Sequence, residues 1–259
     1  MPQSVKKVGL VLGAGSARGL AHIGVLQVLN ENNIPVDLIV GCSMGAMVGG
    51  IYSCGTDLKM LDKMVEHMDT SVFFDLQVPR MGLVADKKIS TLLRLLTKNK
   101  TFNDINIPLS IVATDLLTGR RIIIEDGVVA EAIRASISIP GIFSPIIKDE
   151  MILVDGAVVD RLPIEVARDK GAKIIIAADV SFASGKKVKI KNTLDVIMTS
   201  LDIMQRQQFD LIKDQAEVLI QPEVGDFSSR DFEKSRELVD LGRSATEKKI
   251  DEILGNING

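Results

Sequence analysis

The sequence predicts an α/β fold with a mainly parallel sheet held between layers of helix. Three observations carry this. Short apolar runs recur along the chain, and several are apolar throughout, as in strands covered on both faces. Segments of helical spacing lie between them, and alternation of this kind builds parallel sheets. The 259 residues, 46% of them hydrophobic, suffice for a large α/β domain.

The first strand is 8–12. The pair Lys6-Lys7 before it imitates the start of a secretory signal, but glycines break the apolar run, and Arg18 and His22 follow. A buried strand explains the run better. Residues 17–30 have helical spacing. A second strand follows at 36–40, then a helix over 44–52 rich in small and apolar residues. Further strands are expected at 109–113, 121–125, 151–154, 173–179 and 217–220. Short helices are expected at 128–136 and 163–170, the latter stopped by Gly171. Two long amphipathic helices, 193–213 and 231–254, flank the last strand.

Residues 57–106 differ from the rest. Leu58, Leu61, Met64, Val65 and Met68 follow helical spacing. Val72-Phe73-Phe74 and Met81-Gly82-Leu83-Val84 come next, then a helix with Leu92, Leu93, Leu95 and Leu96. Core packing accounts for most of these. A second reading makes part of the stretch a soft, Met-rich cap over an acyl-binding site.

Composition excludes some functions. Aromatic residues make up 3%, with no Trp and one Tyr, so base stacking on an aromatic platform is not the purpose. A net charge of -3 without a dense basic stripe argues against nucleic acid. The run Lys-Lys-Val-Lys-Ile-Lys at 186–191 reads as a solvated loop. Its second reading is a weak contact with anionic lipid head groups, peripheral to a membrane. Cys42 and Cys54 fall near the two ends of one helix, too far apart to bridge within it. They read as reduced thiols of a cytoplasmic protein. The sequence has no run of ~20 apolar residues to span a membrane.

The chemistry starts at Gly41-Cys42-Ser43-Met44-Gly45. A serine between two glycines, after a strand and before a helix, is the pattern of a nucleophile elbow. Gly41 and Gly45 let backbone pass close to a strained turn. Ser43 is the expected nucleophile.

The first strand runs into Gly13-Ala14-Gly15-Ser16-Ala17-Arg18-Gly19. Such a loop presents N–H groups to an anion, either a pyrophosphate or an oxyanion. A dinucleotide site wants Gly-x-Gly-x-x-Gly and an acid at the end of the second strand. Here the spacing is Gly-x-Gly-x-x-x-Gly, and Asp37 stands at the wrong end of that strand. The oxyanion reading fits better, with donors drawn from Gly13, Gly15, Ser16, Ala17 and Arg18. Arg18 either adds charge there or stabilises the loop.

A serine needs a base. The chain has two histidines, His22 and His67. His67 sits on an amphipathic helix and is expected at the surface. His22 is expected to hydrogen-bond within the fold. A carboxylate remains: the apolar run 151–154 ends in Asp155-Gly156-Ala157. A parallel strand would deliver Asp155 to the edge that holds Ser43, with small residues allowing close approach.

These segments together resemble the bacterial patatin-like phospholipases. Gly13–Gly19 with Leu20-Ala21-His22-Ile23-Gly24 opens the resemblance. Gly41–Gly45, Arg134-Ala135-Ser136-Ile137-Ser138-Ile139-Pro140-Gly141, and Asp155-Gly156-Ala157 with Leu162-Pro163 follow in the family's order, and Val112–Asp115 before Thr118-Gly119 is also similar. The resemblance covers 8–180. It implies a three-layer α/β/α fold, with 8–168 as the family core and 169–259 completing the same domain. It implies a Ser43–Asp155 dyad, the glycine loop as oxyanion hole, and hydrolysis of acyl esters, often of lipids, without metal or nucleotide cofactor. Ala14 and Ser16 stand where the family often has Gly, and Asp160-Arg161 where Asn is common. The alternatives are a non-catalytic lipid-binding or regulatory module and, fitting less well, a dinucleotide-dependent oxidoreductase.

Overall fold

The computed structural model describes residues 6–67, 82–181, 190 and 193–259. Residues 68–81 of the suggested cap and most of the 186–191 basic run lie outside these.

Eight strands form one sheet: β1 (Val8–Leu12), β2 (Leu38–Cys42), β3 (Leu109–Asp115), β4 (Arg120–Ile124), β5 (Ile146–Lys148), β6 (Met151–Asp155), β7 (Ile174–Ala178) and β8 (Val218–Ile220). The helices among the described residues are α1 (Ala21–Glu31), α2 (Met44–Ser53), α3 (Leu58–His67), α4 (Gly82–Leu96), α5 (Val129–Ser136), α6 (Ile164–Asp169), α7 (Thr193–Ile212), α8 (Ser235–Glu247) and α9 (Ile250–Asn258).

A parallel block runs β3-β2-β1-β7-β8. Its strands are buried on both faces, with side chains alternating between two cores. Leu10, Leu12, Ile39, Ile111 and Ile176 share one core with α1, α2, α5 and α8. Val11, Val40, Val112, Ile175 and Ala177 share the other with α6 and with Phe209 of α7. Fully burying each of the Leu, Ile, Val and Phe side chains stabilises the fold by roughly 1.5–3 kcal/mol. Helices on both faces make the predicted three layers.

Parallel delivery of Asp155 does not hold: β4 and β6 both run antiparallel to β3. The register shows what happens instead. Ile111 and Val112 pair with β2 and with β4, so these two lie on opposite edges of β3. Thr114 pairs with both β4 and β6. Therefore β6 lies on the edge that β2 occupies. β2 ends at Cys42 opposite Val112, and β6 ends at Asp155 opposite Ala113. The two strands approach head-on in one lane beside β3 and stop end to end. Reversal of β6 brings Asp155 in from outside the rim, to the level where Ser43 leaves β2.

Two helices depart from their expected bounds. A 3₁₀ turn, Ser16–Leu20, precedes α1. The predicted helix over 231–254 becomes a 3₁₀ turn at Phe232–Lys234, then α8 and α9. The break is closed by the Lys249 N–H donating to the Thr246 carbonyl at 2.9 Å, a three-residue turn that apolar periodicity does not register. Cys42 and Cys54 are buried free thiols.

Candidate active site

Ser43 joins β2 to α2 with φ +53° and ψ −120°. A non-glycine residue held there costs of order 1–3 kcal/mol, so surrounding structure must enforce it. The Ser43 N–H donates to Ser136 Oγ at 2.9 Å, and Ser136 Oγ donates to the Val112 carbonyl at 2.6 Å. Ser136, in the last turn of α5, thereby ties the elbow to β3. A Cβ on Gly45 would overlap the Leu12 carbonyl, and one on Gly41 would run into the Ala46 backbone. Both motif glycines let strand and helix touch backbone to backbone.

Asp155 is held from several sides. Its N–H donates to the Ser138 carbonyl at 3.0 Å, and its own carbonyl accepts from Thr114 Oγ1 at 3.0 Å. Oδ1 accepts the Ala157 N–H at 2.9 Å. Oδ2 accepts the Ser43 hydroxyl at 2.6 Å. A Cβ on Gly156 would strike the Val112 carbonyl, so this glycine sets how closely β6 abuts the sheet. Burial pushes the Asp155 carboxyl up to about 6, against the Ser43 hydroxyl, the Ala157 amide and the Arg161 charge, which pull it down.

The glycine loop lies beside this pair, shaped by its own amides. The Gly13 N–H donates to Ala178 O at 3.1 Å, Ala14 to Arg161 O at 2.9 Å, and Ala17 to Ser229 O at 3.3 Å. Those bonds take Gly13 and Ala17 out of the predicted donor set. The Gly15 and Ser16 amides have no acceptor among the described residues. Ser16 has φ +50°, the backbone region that suits the glycine common at this position. Its Oγ donates to Ser229 O at 2.7 Å. The Arg18 guanidinium turns to Asp202 of α7 at 3.6 Å, and Nε donates to Gly15 O at 3.4 Å. Burial lowers its pKa, with Asp202 opposing. Gly19 packs against Met44.

Neither histidine reaches Ser43. His22 is completely buried, and Nε2 donates to the Gly13 carbonyl at 2.8 Å. Burial drives its pKa down to about 4. His67 is exposed at the end of α3.

Two cavities meet at Ser43 and Ser16. One, of about 50 Å³, has Asp155, Arg18, Arg161, Asp202 and Gln205 in its wall. The other, of about 30 Å³, is lined by Met44, Met47, Ile137, Ile139, Ile142, Phe143 and Phe232. No described residue between 57 and 106 lines either. Among the described residues, α7 supplies Leu201, Asp202 and Gln205 to the wall of the polar cavity.

Sequence reasoning missed four contributors. Ser136 was legible only as part of a motif, since no pattern says that its hydroxyl accepts the Ser43 amide. Arg161 stood out only as a departure from a common Asn. Its Nη2 donates to Ala14 O at 2.6 Å and its Nη1 to Gln205 Oε1 at 3.0 Å, joining glycine loop to α7. Asp202 and Gln205 had no local signal. Among the described residues, no group of three or more His, Cys, Asp or Glu could hold a metal ion. No described helix is long and apolar enough to cross a membrane.

A doubly covered sheet with a strained serine elbow at the carboxyl edge places the molecule among α/β proteins that keep their sites there. The comparisons with known proteins narrow this. Residues 10–168 match the family model for patatin-like phospholipase, and the chain belongs to that family. An uncharacterized NTE family protein of Mycobacterium tuberculosis is 35% identical over 180 residues, covering 69% of this chain and 50% of the relative. Patatin-like phospholipase domain-containing protein 7 of Rattus norvegicus is 28% identical over 269 residues, covering 91% of this chain and 20% of the relative. The chain thus spans half the length or less of these curated relatives. Among solved structures, VipD from Legionella pneumophila has a TM-score of 0.63 at 13% identity, covering 96% of this chain and 67% of that one. ExoU from Pseudomonas aeruginosa, solved with SpcU, has a TM-score of 0.52 at 14% identity, covering 98% and 53%. These two likenesses are of fold.

Proposed function

We propose that the chain is a serine acyl hydrolase that cleaves carboxylic esters of the lipid type through a Ser43–Asp155 dyad. One observation carries the reading. Ser43 Oγ donates at 2.6 Å to a buried carboxylate whose pKa is raised to about 6. An ordinary aspartate near ~3.9 is a poor base, whereas one near 6 is matched to proton transfer at neutral pH.

Asp155 Oδ2 takes the Ser43 proton as Oγ bonds to the ester carbon. The carbonyl electron pair moves onto oxygen, where the Gly15 and Ser16 amides and the positive end of α2 hold the charge. The acyl–oxygen bond breaks as that pair returns, and the alcohol leaves with the proton from Asp155. Water repeats the sequence on the acyl-serine: Asp155 takes its proton, the acid departs, and Ser43 Oγ regains a hydrogen. Asp155 lines the polar cavity and not the apolar one, so the alcohol departs into the polar cavity and the acyl group occupies the apolar one.

Residues 8–168 and 169–259 act here as one domain, because β7 pairs with β1 and α7 walls the site. Two buried free thiols suit the reducing cytoplasm. A fluorophosphonate probe tests the reading. Mass spectrometry is expected to find one adduct, on the peptide bearing Ser43, absent in Ser43→Ala. Labelling elsewhere, or ester hydrolysis undiminished in that variant, overturns it.

A further inference from the structure

The acyl pocket is small and its walls are braced. At about 30 Å³ it takes about two or three groups of water size, since one water needs ~10–15 Å³ of such space. A larger cavity of about 460 Å³ lies between α4, α5 and the β5–β6 hairpin, but neither Ser43 nor Asp155 lines it. Phe143 forms one wall under the Arg134 guanidinium, 5.2 Å from the ring centre. Arg134 is fixed in turn by Nη1 donating to Ser138 Oγ at 2.7 Å and Nη2 donating to Ser144 O at 3.1 Å. Phe232 forms another wall and is 3% exposed. It sits three residues beyond Ser229, whose carbonyl holds the oxyanion loop through Ser16 and Ala17. Met44 and Met47, one turn apart on α2, close the side next to the nucleophile.

We infer that this pocket grips only the first three or four carbons of the acyl chain, with Met47, Phe143 and Phe232 as the gauge, so that short-chain esters of polar alcohols are full substrates. This rests on the hydrolase reading above. Each methylene that enters an apolar pocket improves transition-state binding about fourfold. Among the described residues no wall continues beyond the gauge, so a further methylene adds nothing. Phe232 couples chain length to catalysis, because its segment also carries the oxyanion-loop anchor.

The test is a series of p-nitrophenyl esters from acetyl to decanoyl, each below the concentration at which it forms micelles. In the wild type, kcat/KM is expected to climb to the butyryl ester and stay level or fall from the hexanoyl ester onward. A climb that continues about fourfold per two-carbon step or more through decanoyl overturns the inference. Absence of hydrolysis across the whole series removes the hydrolase reading itself. Phe232→Ala and Met47→Ala are expected to move the maximum to the hexanoyl or octanoyl ester. An unmoved maximum in variants that melt cooperatively counts against the gauge. Should both lose cooperative melting, Phe232→Leu is the milder enlargement, with the same shift expected.

Discussion

His22 and Asp155 form an instructive pair. Both are buried ionisable groups near the same glycine loop, and burial disfavours the charged form of each. The pKa of His22 falls to about 4 and that of Asp155 rises to about 6. Their partners separate them. His22 spends its Nε2 proton on the Gly13 carbonyl and braces the loop. Asp155 offers an oxygen to the Ser43 hydroxyl. On the proposed mechanism, the residue type usually sought as a base braces the loop, and the type usually found in turns takes the proton.

The largest effect that can break this contrast is on turnover. Asp155→Asn is expected to lower ester hydrolysis by roughly 10³–10⁴-fold while circular dichroism stays unchanged. A folded Asp155→Asn that keeps its activity, beside a folded His22→Gln that loses it, would reverse the two roles.

Stability against pH comes next. Folded Asp155 holds its proton up to about pH 6, whereas unfolded it gives the proton up near 3.8. Its contribution is therefore present below pH 3.8 and lost as pH rises through 6. Unfolded His22 takes up a proton below 6.5, and folded His22 only near 4. Its contribution is present above pH 6.5 and lost as pH falls through 4. Each amounts to about 3 kcal/mol, with opposite slopes over nearly one window. Relative to wild type, denaturant melts of His22→Gln from pH 4 to 6.5 should gain a falling contribution to stability. Asp155→Asn should gain a rising one. Parallel curves for the two variants would show that one group is not buried as described.

The pH–rate profile sharpens the contrast further. In the wild type, kcat/KM is expected to fall about tenfold per pH unit below about 6, as Asp155 protonates. The same limb should persist in His22→Gln, and its disappearance there would assign the titration to the histidine. The smallest expected effect is the rate of His22→Gln at pH 7.5. It should stay within about threefold of wild type, because a loop brace costs geometry and not a proton acceptor.

Much of this was legible in the sequence for identifiable reasons. β1 is apolar throughout and is bounded by Lys7 and Gly13, so its limits could be read directly. The elbow was readable because glycine is needed wherever backbone meets backbone, as Gly45 does with Leu12. Strand direction was not readable. The run Met151–Asp155 has the same composition whether it lies parallel or antiparallel, and only pairing with β3 decides. The donors proposed for the oxyanion were half readable. The glycine spacing marks the loop, but the Gly13 and Ala17 amides are taken by Ala178 and Ser229, residues with no local tie to it. The wall from α7 was hidden for a related reason: Asp202 and Gln205 look like the polar side of an ordinary amphipathic helix.

The head-on meeting of β2 and β6 constrains how the chain can change. Ser43 and Asp155 are 112 positions apart, yet each is fixed by the last rung of its own strand against β3. Lengthening a surface turn anywhere between them leaves both rungs in place. Deleting a single residue from β6 would instead turn its final side chain to the other face of the sheet. The carboxylate would then point away from the hydroxyl, so the span between the two groups tolerates growth far better than a one-residue slip at its end.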